Sequence, residues 1–335
     1  MAVIALSLSA CGGGGSSNST AAPSNQTAVA ITQANMKQVA SAALRSDIRA
    51  ISAFGGGVVG VVPIEPMRQT NATLLRVLRE IPNRVVRPAS SALLVPSAIV
   101  REGDPIPCGT EESPSGFFSI KFDDKDGNND YGVGESVEVT FHDCLDATEG
   151  TTSNGNLKFT FTSLEGFSKQ PIAPWRYGAN FTFSAFQLRS PGASPLNIDG
   201  AIQWSESQLN TDESTVVASG TRLDANRVEE NLSITDFTVT FDDNNRTNAY
   251  RQFGQQTYVS SKLGGAFRMV VTETLPLSGS SRNFAESGVI TVHGKNSSIS
   301  LVAINRTNVR IDLDSNFDGV IDDSELVRWS DLSAL

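Results

Sequence analysis

Strict alternation of apolar and polar residues dominates the chain beyond residue 117. About ten short runs between Phe117 and Asp314 place an apolar side chain at every second position. The clearest runs have apolar residues at Leu157, Phe159 and Phe161; Phe181 and Phe183; Leu196, Ile198, Ile202 and Trp204; Phe237, Val239 and Phe241; Ile299, Leu301 and Ala303; and Val309, Ile311 and Leu313. The opposite positions are rich in Thr, Ser and Asn, which is typical of an antiparallel sheet with one face in water. The pattern predicts a mainly β fold: a curved antiparallel sheet, an open barrel or a sandwich.

A different period marks the residues that precede the strands. Apolar residues recur at three- and four-residue steps over residues 32–51, which predicts one face of an amphipathic helix with Thr32 as its N-cap. A second helix is predicted over about residues 67–81, because its apolar positions share one side and Pro82 ends the pattern. Residues 88–107 contain repeated prolines, so we expect an irregular connection there.

The N-terminus combines a short apolar run with a polar, glycine-rich stretch. Residues 2–10 are mostly apolar and are far fewer than the ~20 residues of a membrane-spanning helix. The run ends in Leu8-Ser9-Ala10-Cys11, and a Gly/Ser stretch follows. The four-residue motif resembles the lipobox of bacterial lipoprotein signal peptides. One departure from that pattern is the lack of a basic residue before the apolar run.

The lipobox resemblance implies a location in the cell and a lipid anchor. It implies that residues 1–10 are a signal peptide, that Cys11 is lipidated, and that several acyl chains on one cysteine hold the protein firmly. Residues 11–31 would then be a flexible tether. Because Gly12 rather than Asp follows the cysteine, the resemblance favours the outer membrane of the bacterial cell envelope.

Charge and histidine content exclude several classes of function. The chain has 26 Lys and Arg against 36 Asp and Glu, giving a net charge of −10, and only 2 His. Such an acidic surface repels a phosphate backbone, so we expect no nucleic-acid partner. Two histidines cannot form a His-rich metal site, and no nucleophile–base arrangement stands out. We therefore expect a protein that is not an enzyme, with an envelope hydrolase as the least favoured hypothesis.

The remaining cysteines indicate an oxidising compartment. If Cys11 is lipidated, Cys108 and Cys144 are the two thiols left. Outside the cytoplasm such a pair usually oxidises, which predicts a Cys108–Cys144 disulfide. Two buried free thiols are the alternative.

One motif with specific chemistry lies near the C-terminus. Residues 314–325 read Asp-Ser-Asn-Phe-Asp-Gly-Val-Ile-Asp-Asp-Ser-Glu and resemble the EF-hand calcium loop. The resemblance implies a Ca²⁺ ion held by the side chains of Asp314, Asn316, Asp318, Asp322 and Glu325 and by the Val320 carbonyl. It also implies a bend at Gly319 and an apolar anchor at Ile321. A solvated acidic turn is the alternative.

The segments that flank this motif are predicted to differ from each other. Residues 307–313 alternate like a strand, whereas a short amphipathic helix with Trp329 and Leu332 is expected to begin at Leu326. The predicted arrangement is therefore strand, loop and helix rather than the full helix–loop–helix of an EF-hand.

A second acidic stretch, residues 123–130, fits the motif poorly when Gly127 is placed at the bend. Phe122 would then occupy the first ligand position, where an oxygen donor is needed. An ordinary Asp-Gly hairpin turn is therefore predicted.

Together these features predict a domain order and a function. Residues 1–10 and 11–31 are the signal peptide and tether, residues 32–107 a helical segment with a Pro-rich connection, and residues 108–335 the β domain. The favoured hypothesis is a lipid-anchored, calcium-binding envelope protein with a structural or binding role toward a protein or polysaccharide. The alternative is a carrier of a lipid or another hydrophobic ligand. An apolar cavity under the helices would favour the carrier, and a filled core the structural role.

Overall fold

The computed structural model describes most of the β region and one N-terminal helix. The described residues are 27–51, 99–102, 105–109, 114–128, 130–146, 150–167, 172–189, 191–192, 194–244, 246–280 and 284–334. The predicted signal peptide, Cys11 and the predicted helix over 67–81 lie outside them.

Sixteen strands form one antiparallel sheet. The strands are β1 (Ile99–Glu102), β2 (Ile106–Gly109), β3 (Pro114–Asp124), β4 (Ser136–Asp146), β5 (Thr151–Glu165), β6 (Trp175–Arg189), β7 (Leu196–Gln208), β8 (Glu213–Asn226), β9 (Asn231–Asn244), β10 (Ala249–Ser260), β11 (Gly265–Val271), β12 (Leu277–Ser280), β13 (Val289–His293), β14 (Ser298–Ala303), β15 (Asn308–Asp314) and β16 (Asp323–Arg328). From β3 onward each strand pairs with the next, except that β12 pairs with β10 and β13 follows β11; β1 and β2 both pair with β3. Within the described residues β1 and β16 do not pair with each other, so the sheet is open. The predicted mainly β, antiparallel class is confirmed.

The alternating pattern faces the core as predicted. Every apolar position named for the six clearest runs is buried, whereas intervening residues such as Lys158 and Thr182 are exposed. The buried residues of all these strands belong to one continuous hydrophobic cluster. Burial of one face therefore sets the register of the sheet, because a slip by one residue would turn the apolar side chains to solvent.

Two helices complete the described fold, α1 (Met36–Ile51) and α2 (Trp329–Ala334). Helix α1 contacts β8, β14 and β15, and it also packs against α2. Five strands separate β8 from β15 in the sheet order. One helix can reach both only if the sheet curves around it, so the predicted curvature is present. Val39, Ala40 and Leu44 of α1 are at most 1% exposed on this inner side.

The structure differs from the sequence-based expectations at four element boundaries. The helix begins at Met36, four residues after Thr32, whose carbonyl accepts from the amides of Asn35 and Met36 in the turn that leads into the helix. Residues 27–31, expected to be tether, pack into the fold, where Ile31 is 1% exposed. The sheet begins with β1 and β2, inside the expected Pro-rich connection. A strand, β16, precedes the C-terminal helix, which starts at Trp329 and not at Leu326.

Neither described helix is long and apolar enough to cross a membrane.

Candidate metal-binding loops

The predicted calcium motif lies in the hairpin between β15 and β16. Residues 315–322 form the connection, which we call the C-terminal acidic loop. Asp314 is the last residue of β15 and is 7% exposed. Its carboxylate faces the loop: Oδ1 accepts a hydrogen bond from the amide of Asp318 at 3.2 Å, and Oδ2 accepts one from the amide of Gly319 at 2.9 Å.

The next two predicted ligands follow the same turn of backbone. Asn316 Oδ1 accepts from the amide of Asp318 at 3.0 Å, and Asp318 Oδ1 accepts from the amide of Val320 at 2.8 Å. Gly319 has φ = +85°, a left-handed conformation that glycine adopts without steric cost. The structure therefore brings together Asp314, Asn316 and Asp318 around one bend, with Val320 directly after it.

The last two predicted ligands are placed differently. Asp322 Oδ2 accepts from the amide and the hydroxyl of Ser315, at 2.7 and 2.5 Å, and these bonds lower the pKa of the Asp322 carboxyl. Glu325 lies in β16 opposite Ile311, and its carboxylate is 2.5 Å from the Lys37 ammonium of α1. The predicted ligand at the end of the motif is thus drawn into an ion pair with α1. The cause is the hairpin: a strand follows the loop where an EF-hand has a helix.

The predicted apolar anchor of this loop is not buried. Ile321 is 50% exposed, and Phe317 and Val320, in the same loop, are 46% and 62% exposed. The ring of Phe317 makes an edge contact with His293 at a centroid distance of 5.7 Å. The prediction of a buried anchor at Ile321 is therefore wrong: the residue is exposed at the tip of the loop.

A second acidic group lies in the hairpin between β3 and β4. We call residues 125–135 the N-terminal acidic loop. Asp124, Asp126 and Glu135 each place a carboxylate oxygen within 4.8 Å of the other two, a spacing that a metal ion could bridge. Asp124 and Glu135 are 0% and 2% exposed, which is rare for carboxylates.

The Glu135 carboxylate joins separate parts of this loop through hydrogen bonds. Its Oε1 accepts from the amides of Lys125 and Asp126, at 2.9 and 3.4 Å, and its Oε2 accepts from the amide of Gly132 at 2.6 Å. Asn128 continues the pattern, because its amide donates to Asp126 Oδ1 at 3.0 Å. The carboxylate of Glu135 therefore spans the loop from its first residues to its last.

An aromatic cluster supports the N-terminal acidic loop from below. The ring of Tyr131 lies 4.8 Å from that of Phe161, 5.9 Å from Phe122 and 6.1 Å from Phe167, measured between centroids. Burial, and secondly the charge of Asp130, raise the pKa of the Tyr131 phenol, so the group stays neutral even in alkaline solution. The loop is thus held on a fixed, water-poor base.

The sequence contained a signal for this second loop that the prediction missed. The prediction placed Gly127 at the bend, but the structure places Asp124 at the start and Glu135 at the end. Counted from Asp124, carboxylate or amide residues stand at positions 1, 3, 5 and 12, as they do in the C-terminal motif counted from Asp314. The residues are Asp124, Asp126, Asn128 and Glu135 in one loop and Asp314, Asn316, Asp318 and Glu325 in the other. Asn129 replaces the usual glycine at position 6, which concealed the register.

The predicted cysteine pair is close in space. Cys108 of β2 and Cys144 of β4 are at disulfide distance, with their Cα atoms 5.2 Å apart. Both are at most 8% exposed. The bond ties β2, at the start of the sheet, to β4.

Comparison with known proteins leaves the geometry as the only guide to function. No family model, curated protein or solved structure matches the chain. The two acidic loops are the features whose chemistry the described residues define best.

Proposed function

We propose that this is a lipid-anchored, calcium-binding protein of the bacterial cell envelope with a structural or binding role rather than a catalytic one. The observation that carries the calcium assignment is the N-terminal acidic loop. There, three carboxylates converge within 4.8 Å, and they stand at the spacing that the C-terminal motif repeats. The anchor rests on the lipobox resemblance of residues 8–11, and the disulfide pair supports an oxidising compartment.

The donor atoms favour calcium over a transition metal. Both loops offer carboxylate, amide and carbonyl oxygens, which suit hard cations such as Ca²⁺, and neither contains His or Cys. Three carboxylates at this spacing repel one another when all are ionised, and a divalent cation removes that repulsion. A cation in the N-terminal loop would thus stabilise the folded hairpin relative to the unfolded chain.

The position of the loops supports a structural role. Each loop joins two neighbouring strands, so a bound ion would stiffen a hairpin without creating a cleft for a substrate. Helix α1 packs its apolar side directly on the sheet, with Val39, Ala40 and Ala43 at 0% exposure. This packing favours the structural role over the hydrophobe carrier.

The test is thermal unfolding of the full chain with Cys11→Ser, which keeps it soluble, in EDTA and in a calcium titration. Structural calcium loops bind with Kd of roughly 10⁻⁴–10⁻³ M. Calcium at about tenfold to a hundredfold above Kd adds roughly 1.4–2.7 kcal/mol to the free energy of unfolding. We expect a rise in Tm that Glu135→Gln largely removes and that Asp314→Asn reduces.

The matched control is Glu325→Gln, the same chemical change at the glutamate that lies outside its loop. We expect it to leave the calcium-dependent rise intact, because its carboxylate pairs with Lys37. Equal Tm values in EDTA and calcium would refute the calcium assignment. A loss caused by Glu325→Gln but not by Glu135→Gln would move the site to the C-terminal motif.

A further inference from the structure

The tip of the C-terminal acidic loop exposes three large apolar side chains. Phe317, Val320 and Ile321 are 46%, 62% and 50% exposed, although they stand within five consecutive residues. Exposed apolar residues concentrated in one loop are typical of an interaction surface. We call these three residues the apolar tip.

The place where residues 27–29 join the sheet indicates which partner the apolar tip meets. Thr27 and Val29 pair with Ala266 at the start of β11, and the carbonyl of Val29 accepts from the amide of Lys295 in the β13–β14 turn. This turn and the loop after Asp314 lie at the same end of the sheet, because Ser298 pairs with Asp314. Val29 lies at the end of β13, and β13 is two strand spacings from β15, which is roughly 10 Å.

The tether keeps this end of the sheet near the anchor. Residues 12–26 separate Cys11 from Thr27, and 15 residues span at most about 50 Å when fully extended. The tether leaves the domain at the end of the sheet that carries the apolar tip. That end therefore reaches the anchoring bilayer more readily than the opposite end.

We propose that the apolar tip docks in the phospholipid head-group layer of the membrane that carries the Cys11 anchor. This inference rests on the proposed lipid anchor and calcium binding. Phe317 is suited to the task, because His293 supports one edge of its ring while much of the ring stays exposed. Val320 and Ile321 follow the bend at Gly319 in the same loop, and both are at least half exposed.

Charge makes the docking depend on calcium. Asp314, Asp318 and Asp322 surround the tip and would repel lipid phosphates, as would the net charge of −10. A calcium ion held by these carboxylates would cancel most of their negative charge and can bridge to a phosphate oxygen. The exposed Lys262 and Lys295 occupy turns at the same end of the sheet and add attraction for phosphate.

The experiment measures vesicle binding without the lipid anchor. The full chain with Cys11→Ser is sedimented with vesicles of phosphatidylcholine and phosphatidylglycerol, in excess calcium and in EDTA. We expect calcium-dependent binding that Phe317→Ser, Val320→Ser and Ile321→Ser together reduce roughly tenfold or more, because each removes apolar contact with lipid.

A matched variant carries the same kind of change at the opposite end of the sheet. Ile172, Leu209 and Ile304 lie in the β5–β6, β7–β8 and β14–β15 connections, outside both acidic loops, and are 84%, 69% and 46% exposed. Their triple replacement by Ser is expected to leave vesicle binding unchanged. Melting curves of both variants establish that each remains folded.

The outcomes separate this inference from the proposed function. A Tm that rises with calcium, without vesicle binding, overturns the docking and leaves the calcium assignment standing. Equal losses from the two triple variants overturn the assignment of the tip. A calcium-dependent dimer that the tip substitutions abolish also overturns it, because the tip would then bind a second copy. Tip-dependent vesicle binding in both calcium and EDTA supports the docking and removes the calcium contribution.

Discussion

Single residues decide where the long strands bend. Gly155 lies inside β5 with φ = +94°, at an irregularity where the pairing with β6 skips one residue. A Cβ atom there would lie 2.1 Å from the carbonyl oxygen of Ala185, closer than atoms can approach. No sequence pattern predicts this contact, because the close approach of two backbones leaves no trace in the local pattern.

We expect Gly155→Ala to lower the free energy of unfolding by roughly 1–3 kcal/mol, from backbone strain and the displaced carbonyl. Urea unfolding followed by circular dichroism measures this loss. Gly264→Ala is the control, because Gly264 also has positive φ (+69°) but nothing lies within 4 Å of the added atom. Its cost should stay near the roughly 1 kcal/mol of the conformation alone. Equal losses at the two sites would argue against the close approach.

Residue spacing identified the candidate ligands of the C-terminal motif but not the partners of their side chains. Asp314, Asn316 and Asp318 were identified by spacing, and the structure gathers them around one bend. The ion pair of Glu325 with Lys37 joins residues far apart in sequence, so no local pattern announced it. The convergence of Asp124 and Glu135 did have a local signal in their spacing, but the lack of glycine at position 6 concealed it.

At the scale of elements, pairing overrode local periodicity in β16. Residues 323–332 contain apolar side chains at spacings that fit either a strand or a short helix. The chain forms a strand as far as Arg328 because β15 offers an unpaired edge, with Leu313 opposite Asp323 and Asn308 opposite Arg328. The helix then begins at Trp329, which is fully buried as predicted for an apolar face.

The Cys108–Cys144 bond is an element-scale constraint, because it ties β2 to β4 across 36 residues of sequence. Removing it by Cys108→Ser with Cys144→Ser should lower the free energy of unfolding by roughly 3–4 kcal/mol, since the unfolded chain regains loop entropy. Urea midpoints of the Cys11→Ser chain with and without dithiothreitol measure the effect.

The double-serine variant provides the control for reductant. Its urea midpoint should match that of the reduced parent and should not move when dithiothreitol is added. A parent chain whose midpoint is insensitive to dithiothreitol would show that the bond contributes nothing to stability.

The whole molecule is organised by one core that the curved sheet encloses. The hydrophobic cluster extends from β2 to α2 and includes the inner side of α1. The sheet alone cannot cover its own concave face, so α1 covers the part of that face between β8 and β15. Leu44 of α1, at 1% exposure, is one of the largest fully buried side chains.

Leu44→Ala should therefore cost roughly 2–5 kcal/mol, as expected for a buried leucine that leaves a cavity. Leu326→Ala is the control, because Leu326 is 62% exposed in β16 and should cost less than roughly 0.5 kcal/mol. Because the core is continuous, circular dichroism and the fluorescence of the three tryptophans, Trp175, Trp204 and Trp329, should report one common transition in urea. Separate transitions, with only one shifted by Leu44→Ala, would show that α1 and the sheet unfold independently.

The sequence by itself determined the strand-rich class, the buried face of each strand, the acidic motif and the cysteine pair. These depend on alternation, spacing and residue chemistry, which are local properties of the chain. Only the tertiary structure decided the number and order of the strands, the position of α1 against β8 and β15, the strand after the C-terminal acidic loop and the ion pair of Glu325 with Lys37. Each of these depends on contacts between residues distant in sequence, whose free energy appears only when the strands are paired and the core is closed.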